Sequence, residues 1–226
     1  MCAPYPDPGT PVGMDVNARE FREIVESLRK VIVVLRELDV RYALAGSVAS
    51  WARGGPETVN DLDLIVARED AERAFEALKE AGMQGEVPPE GWLYKLRVGN
   101  VEIDLIFKVT GVENVEDIID RSEVMRVASL DCPVARVEDH LTPKLLAFNE
   151  HYLDYTGALR VARALREQVD WEQLRERTFH SPYARGFFAL LEALDVIPGE
   201  DGERPGKTAG PGPSGERPGP QIRVVS

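Results

Sequence analysis

Asp61-Leu62-Asp63-Leu64-Ile65-Val66 and Val101-Glu102-Ile103-Asp104-Leu105-Ile106-Phe107 decide the fold of this chain. In a strand, residues i and i+2 share a face. Asp61 and Asp63 therefore point one way, while Leu62, Leu64 and Val66 point the other, toward a core. The second segment alternates alike: Val101, Ile103, Leu105 and Phe107 share one face, Glu102 and Asp104 the opposite one. If the two strands are neighbours, three or four acidic groups crowd into one patch that does not easily stay ionised without a cation.

Working outward, Arg41 to Ala45 reads as a short strand that ends at Gly46-Ser47, and Val48 to Arg53 as the start of a helix broken by Gly54-Gly55-Pro56. Upstream, Asn17 and Glu20 resemble a capping box. Phe21, Ile24, Val25, Leu28, Ile32 and Leu35 then recur at helical spacing to about Leu38. Downstream, Arg68 to Ala81 is a helix with Ala71, Ala74, Phe75 and Leu78 as its apolar stripe and Gly82 as its stop. A loop through Pro88-Pro89 follows. Trp92 to Val98 and Val101 to Val109 are strands joined at Gly99-Asn100, short enough for a hairpin turn. Residues 112 to 123 read as an acidic helix and Cys132 to Val137 as a last short strand. Helices are expected over Glu138 to Tyr152, Thr156 to Gln168, Asp170 to Arg177 and Tyr183 to Leu194. The class is α+β: a small mixed β-sheet flanked by helices, followed by a C-terminal helical region.

These elements imply a leader over 1–14, a catalytic domain over 15–136, a helical domain over 137–197 and a Pro/Gly-rich tail over 198–226. Leader and tail bury too little to offset their ordering entropy and are expected to be disordered. The leader lacks the basic and apolar regions of a secretory signal. With 226 residues, 43% of them hydrophobic, the chain has ample core-forming capacity but no apolar run approaching the ~20 residues of a membrane span. Cys2 and Cys132 make neither a disulfide framework nor a zinc motif, so a cytoplasmic setting is expected. His140, His151 and His180 lack metal-ligand spacing and read as surface or capping residues. The net charge of −12 argues against a general nucleic-acid coat. Arg160, Arg163 and Arg166 nevertheless share one side of a helix, as a solvated face or as a phosphate contact.

Two carboxylates on one strand face suit a pair of divalent cations about 3.5 to 4 Å apart, which activate an attacking oxygen and steady a leaving phosphate. Magnesium fits because it takes few carboxylates and completes its shell with water and substrate phosphates; manganese is the alternative. Asp104 is a third ligand, the base for an incoming hydroxyl, or both. Gly46 permits close backbone approach, and Ser47 offers a hydroxyl and backbone amides to a triphosphate. Neither Gly-Ser nor Asp-x-Asp is specific alone. Their order, with a later strand Asp, is.

From about Val40 to Phe107 the chain resembles the nucleotidyltransferase superfamily related to DNA polymerase beta, in the order strand, Gly46-Ser47, helix, Asp61-Leu62-Asp63, helix, strands, Asp104. The gap between Gly-Ser and the first Asp is slightly longer here than the usual ~10 residues. Val137-Glu-Asp-His-Leu-Thr-Pro-Lys-Leu-Leu-Ala-Phe148, followed by arginine-containing helices and Val169-Asp170-Trp171, is similar to the helical half of the AbiEii and MenT nucleotidyltransferase toxins. The resemblance implies a nucleotidyltransferase fold, with Lys144 as a catalytic contact to nucleotide phosphates and Asp170 as a further nucleotide-site residue, Asp154 being its rival. Without it, Lys144 reads as a surface lysine on an amphipathic helix and Asp170 as an N-cap.

The reading is a magnesium-dependent enzyme that moves a nucleoside monophosphate from an NTP to a hydroxyl, expected to be the tRNA 3′ end, as the toxin of a toxin-antitoxin pair with a cognate antitoxin as partner. Asp61, Asp63 and Asp104 bind metal, Gly46, Ser47, Lys144 and Asp170 hold the nucleotide, and Arg160, Arg163 and Arg166 contact nucleic acid. The alternatives are transfer to an aminoglycoside-like small molecule or a protein hydroxyl, and a non-catalytic nucleotide-binding module.

Overall fold

Parallel pairing of the two acidic strands sits at the centre of the sheet. The computed structural model describes residues 14–56 and 61–199, with side chains from residue 21 onward. Helix α1 (Met14–Glu37) buries Ile24, Leu28, Val31, Ile32 and Leu35, one stripe at helical spacing. The helix opens at Met14, so Asn17 lies within its first turns and does not begin it. Strand β1 (Tyr42–Leu44) leads into the short helix α2 (Gly46–Ala52), and β2 (Leu62–Val66) into α3 (Arg68–Glu80). Strands β3 (Gln84–Glu86), β4 (Leu93–Val98) and β5 (Val101–Ile106) form an antiparallel meander, with Val98 paired to Val101 across the Gly99-Asn100 turn. Helix α4 (Val115–Asp120) and the hairpin β6 (Glu123–Val127) and β7 (Leu130–Val134) complete the first part. Among the described residues the sheet has seven strands in the order β3-β4-β5-β2-β1-β7-β6.

The alternation in β2 and β5 separates the faces of this sheet. Leu62, Leu64, Val66, Ile103, Leu105 and Phe107 pack with α1 and α3 in the main core, where each fully buried Leu or Ile contributes roughly 1.5–3 kcal/mol. On the other face Ala43, Ala45 and Ile65 pack with Val115, Ile118 and Ile119 of α4. That cover stops short of Asp63 and leaves a gap bounded by the helical half.

That half consists of α5 (Val137–Ala147), α6 (Thr156–Leu165), α7 (Trp171–Thr178) and α8 (Pro182–Ala193). Its apolar cluster runs from Val137 to Ile197 and is distinct from those of the sheet. The boundary proposed between 15–136 and 137–197 falls just before α5. Polar contacts cross it. Gln168 donates to the Arg53 carbonyl at 2.9 Å, while the Arg53 side chain, buried within the first part, donates to the carbonyls of Ala135 at 2.8 Å and Val134 at 3.1 Å. The fully buried Asp139 carboxylate accepts from Arg121 at 3.0 Å and Arg177 at 2.9 Å, pinning α5 between the segment after α4 and helix α7.

Four sequence expectations are corrected here. Strand β3 replaces loop, β6 begins where the acidic helix was expected to end, and β7 stops at Val134, so that Val137 opens α5 instead of closing a strand. Helix α5 ends at Ala147, short of Tyr152, because Phe148 turns extended and the Asn149 side chain accepts from the amides of His151 and Tyr152 at 2.9 and 3.1 Å. Apart from Met14 and residues 198 and 199, the expected leader and tail lie outside the described residues. No described helix is long and apolar enough to cross a membrane.

Candidate active site

Gly46 holds a position that no other residue fits. The chain leaves β1 with the Ala45 amide donating to the Asp63 carbonyl at 2.9 Å, then turns into α2 at Gly46 with φ of +61°. A Cβ there would lie 1.8 Å from Asp63 Oδ2. Glycine is thus required twice, for the left-handed backbone and for the carboxylate packed on its Cα. Ser47 follows in the first turn of α2, where backbone amides have no intrahelical acceptor. Its Oγ is buried without a hydrogen-bond partner and lines the cleft.

Parallel pairing sets Asp63 of β2 directly beside Asp104 of β5. With Asp61 they offer ligand oxygens all within 4.8 Å of one another. Asp61 is exposed, Asp63 half-buried and Asp104 buried. Burial, then the charges of Asp61 and Asp104, push the Asp63 carboxyl up to about 7. Burial likewise raises Asp104, against the pull of Lys95, whose Nζ lies 3.4 Å from Asp104 Oδ1. Glu102, the fourth acid of the sequence pattern, pairs instead with Arg97. The set fits a divalent cation: hard oxygen ligands, mutual repulsion unrelieved on the cleft side, and an orphaned hydroxyl nearby.

Helix α5 forms the opposite wall. His140, Pro143, Lys144 and Ala147 share the face that lines the cleft, while Leu141, Leu145 and Phe148 pack into the helical core. The cleft encloses about 650 Å³, within the range of small-molecule sites. Lys144 runs over Gly157, where a Cβ would lie 3.2 Å from its Nζ. His140 corrects its reading as a surface or capping residue. It lines the cleft, and burial, then the Lys144 charge, lowers it to about 4, leaving a neutral imidazole at neutral pH. Trp92, Lys108 and Asp139 also line the cleft without having been singled out from the sequence. Lys95 was missed too, although counting back from a Gly99-Asn100 hairpin pairs it with Asp104.

Other anticipated residues lie apart. Asp170 is the N-cap of α7, its carboxylate accepting from the Gln173 amide at 3.0 Å while its own amide donates to Glu138. It does not line the cleft, so the N-cap reading is the one its contacts carry. The rival Asp154 caps Thr156 at 2.9 Å; that bond, and more weakly Lys144, lowers its carboxyl. Arg160 and Arg163 flank a separate hollow with Gly54, Gly55 and Pro56, and Arg166 pairs with Glu167 at 2.9 Å.

No family model and no curated protein matches the chain. Among solved structures it is similar to ANT(2″)-Ia in complex with adenylyl-2″-tobramycin, with a TM-score of 0.52 and 12% identity over 73% of this chain and 98% of that one. The solution structure of the antibiotic-resistance factor ANT(2″)-Ia gives a TM-score of 0.51 and 13% identity over 78% and 98%. The shared architecture is the nucleotidyltransferase fold.

Two predictions follow from this geometry. Gly46→Ala is expected to displace the Asp63 carboxylate and weaken Mn²⁺ binding by roughly tenfold or more, read by electron paramagnetic resonance titration; unchanged affinity would mean that Asp63 does not depend on this glycine. The second concerns pH. Asp63 holds its proton to about 7 in the folded chain against an ordinary 3.8, so it favours the folded state at low pH, and that contribution is lost as pH rises through 7. His140, lowered from 6.5 to about 4, acts in the opposite sense across an overlapping window. The difference between wild type and Asp63→Asn in metal-free urea denaturation isolates the Asp63 share. The variant should gain stability relative to wild type as pH rises from about 4 to 7, and parallel curves would contradict the assignment.

Proposed function

We propose that this chain is a divalent-metal-dependent nucleotidyltransferase that moves a nucleoside monophosphate from an NTP to a hydroxyl acceptor and releases pyrophosphate. The observation that carries the proposal is the convergence of Asp61 and Asp63 with Gly46-Ser47 on one wall of a cleft whose other wall carries Lys144, with Asp104 within ligand distance of both acids from the neighbouring strand. A bound Mg²⁺ or Mn²⁺ would supply charge neutralisation at the transferring phosphate and acidify the attacking hydroxyl. Asp61, Asp63 and Asp104 hold it. Ser47 donates its unpartnered hydroxyl to the triphosphate, joined by the free amides of the first turn of α2. Lys144 reaches the same phosphates from α5 and offsets the charge of the departing pyrophosphate. The acceptor oxygen bonds to the α-phosphorus as the bond from that phosphorus to the bridging oxygen breaks. The hydroxyl proton passes to Asp104 where it acts as base. Neutral His140 keeps a lone pair beside Lys144 without adding a competing positive charge.

The acceptor we propose is the 3′ end of a tRNA, which makes the protein the toxin of a toxin-antitoxin system acting in the cytoplasm and restrained by a cognate antitoxin. Support comes from the likeness of Val137 to Phe148, and of the Asp170 segment, to AbiEii and MenT toxins. The exposed pair Arg160 and Arg163 adds to it: α6 begins at Thr156 beside Gly157, under the Lys144 ammonium, and carries both arginines onward from there. A phosphodiester chain leaving the cleft along α6 would meet them. Asp170 contributes as the cap that fixes α7.

A second acceptor class has its own observation. Asp61, Asp63 and Glu90 all line the cleft, the whole chain carries a charge of −12, and such a lining suits an aminoglycoside-like polycation. The fold is shared with ANT(2″)-Ia along nearly that chain's whole length.

Incubating the full chain with labelled NTPs and Mg²⁺ against total tRNA, aminoglycosides and protein separates these readings. Labelled tRNA is expected, lowered at least about a hundredfold by Asp63→Ala and made less salt-sensitive by Arg160→Ala with Arg163→Ala. Labelling that survives Asp63→Ala would overturn the site; a labelled aminoglycoside with unlabelled tRNA would overturn the acceptor; no transfer from any NTP would leave a nucleotide-binding module.

A further inference from the structure

Lys95 occupies a place that the proposed chemistry has not used. The hairpin register seats it across from Asp104, on the β4 flank of the carboxylate cluster and away from the cleft lining. Its ammonium lies 3.4 Å from Asp104 Oδ1, with the Asp104 side chain 11% exposed and the Lys95 side chain 40% exposed. The neighbouring acid on that strand face, Glu102, already has Arg97, so Asp104 is the carboxylate Lys95 pairs with. One oxygen of Asp104 is thereby engaged from the side, and the other is left to the cluster.

We propose that Lys95 is a built-in counter-ion that positions Asp104 and limits the nucleotide-free site to one divalent cation. This rests on the proposed metal-dependent function and deepens it. Once a cation binds, the three clustered carboxylates lose their protons and together carry three negative charges. The fixed ammonium of Lys95 offsets one of them and leaves the charge that a single divalent ion balances. A second such ion would then enter a site with no charge left to attract it, next to an ammonium that repels it. It becomes favourable only with the triphosphate, whose own negative charge restores the deficit. Lys95 thus makes full metal loading conditional on nucleotide. The ammonium also fixes the carboxylate proposed as base for the acceptor hydroxyl, a role in which a long-stemmed donor on a neighbouring strand replaces a further metal ligand.

The experiment is a Mn²⁺ titration of the full chain without nucleotide, followed by electron paramagnetic resonance and by calorimetry, with circular dichroism to verify folding. Wild type is expected to bind one Mn²⁺, and Asp63→Asn to lose it. Lys95→Met, and Lys95→Gln as an independent neutral variant, should bind the first ion about tenfold more tightly and take up a second, whereas Lys95→Arg should keep the wild-type isotherm. If folded Lys95→Met and Lys95→Gln titrate like wild type, or if wild type takes up two ions without nucleotide, the role of Lys95 is overturned while the metal site stands. If wild type binds no Mn²⁺, the metal-dependent reading falls, and the role of Lys95 with it.

Discussion

Electrostatic crowding on two adjacent parallel strands is the constraint around which this molecule is built. Asp63 and Asp104 are direct register partners, and Asp61 joins them within ligand distance. A sheet interior is a poor place for such a group, because burial and mutual repulsion both oppose ionisation. The chain accommodates it by leaving that part of the sheet face uncovered. Helix α4 covers the ends of β1 and β2, and α5 stands off across the cleft.

Two small features make that arrangement possible. Gly46 lets the backbone turn from β1 into α2 under the Asp63 carboxylate, which brings the hydroxyl and amides of α2 to the same point as the acids. The buried Asp139, held by Arg121 and Arg177, fixes α5 at the angle that turns His140 and Lys144 inward. A buried ion pair of this kind gives modest net stability but a defined orientation. Here orientation is what the cleft depends on.

Where one face of an element was buried and the other was not, the sequence was readable. The alternation of β2 and β5 and the stripes of α1 and α3 were placed from side-chain period alone, because a register slip would expose every Leu and Ile they contain. The edge strands β3 and β6 carried no such signal: Gln84, Gly85 and Glu86 are all exposed, and Val124 of β6 is 75% exposed. The early end of α5 depends on the side chain of Asn149, which pattern reading passed over. Among the anticipated site residues, Gly46, Ser47, Asp61, Asp63 and Lys144 line one cleft, and Asp104 joins through its parallel partner. Asp170 does not, since a cap and a site residue look alike in sequence. His140 was hidden by the opposite effect: a lone histidine gives no hint of burial, and only the placement of α5 as the opposite wall of the cleft reveals it.

Diffraction from crystals grown with Mn²⁺ and a non-hydrolysable NTP analogue, recorded at the manganese absorption edge, tests the central claim most directly. The account predicts anomalous density bounded by Asp61, Asp63 and Asp104, with the triphosphate against Ser47 and Lys144. A nucleotide bound elsewhere, or triphosphate in this cleft with no manganese at the three carboxylates, would contradict it.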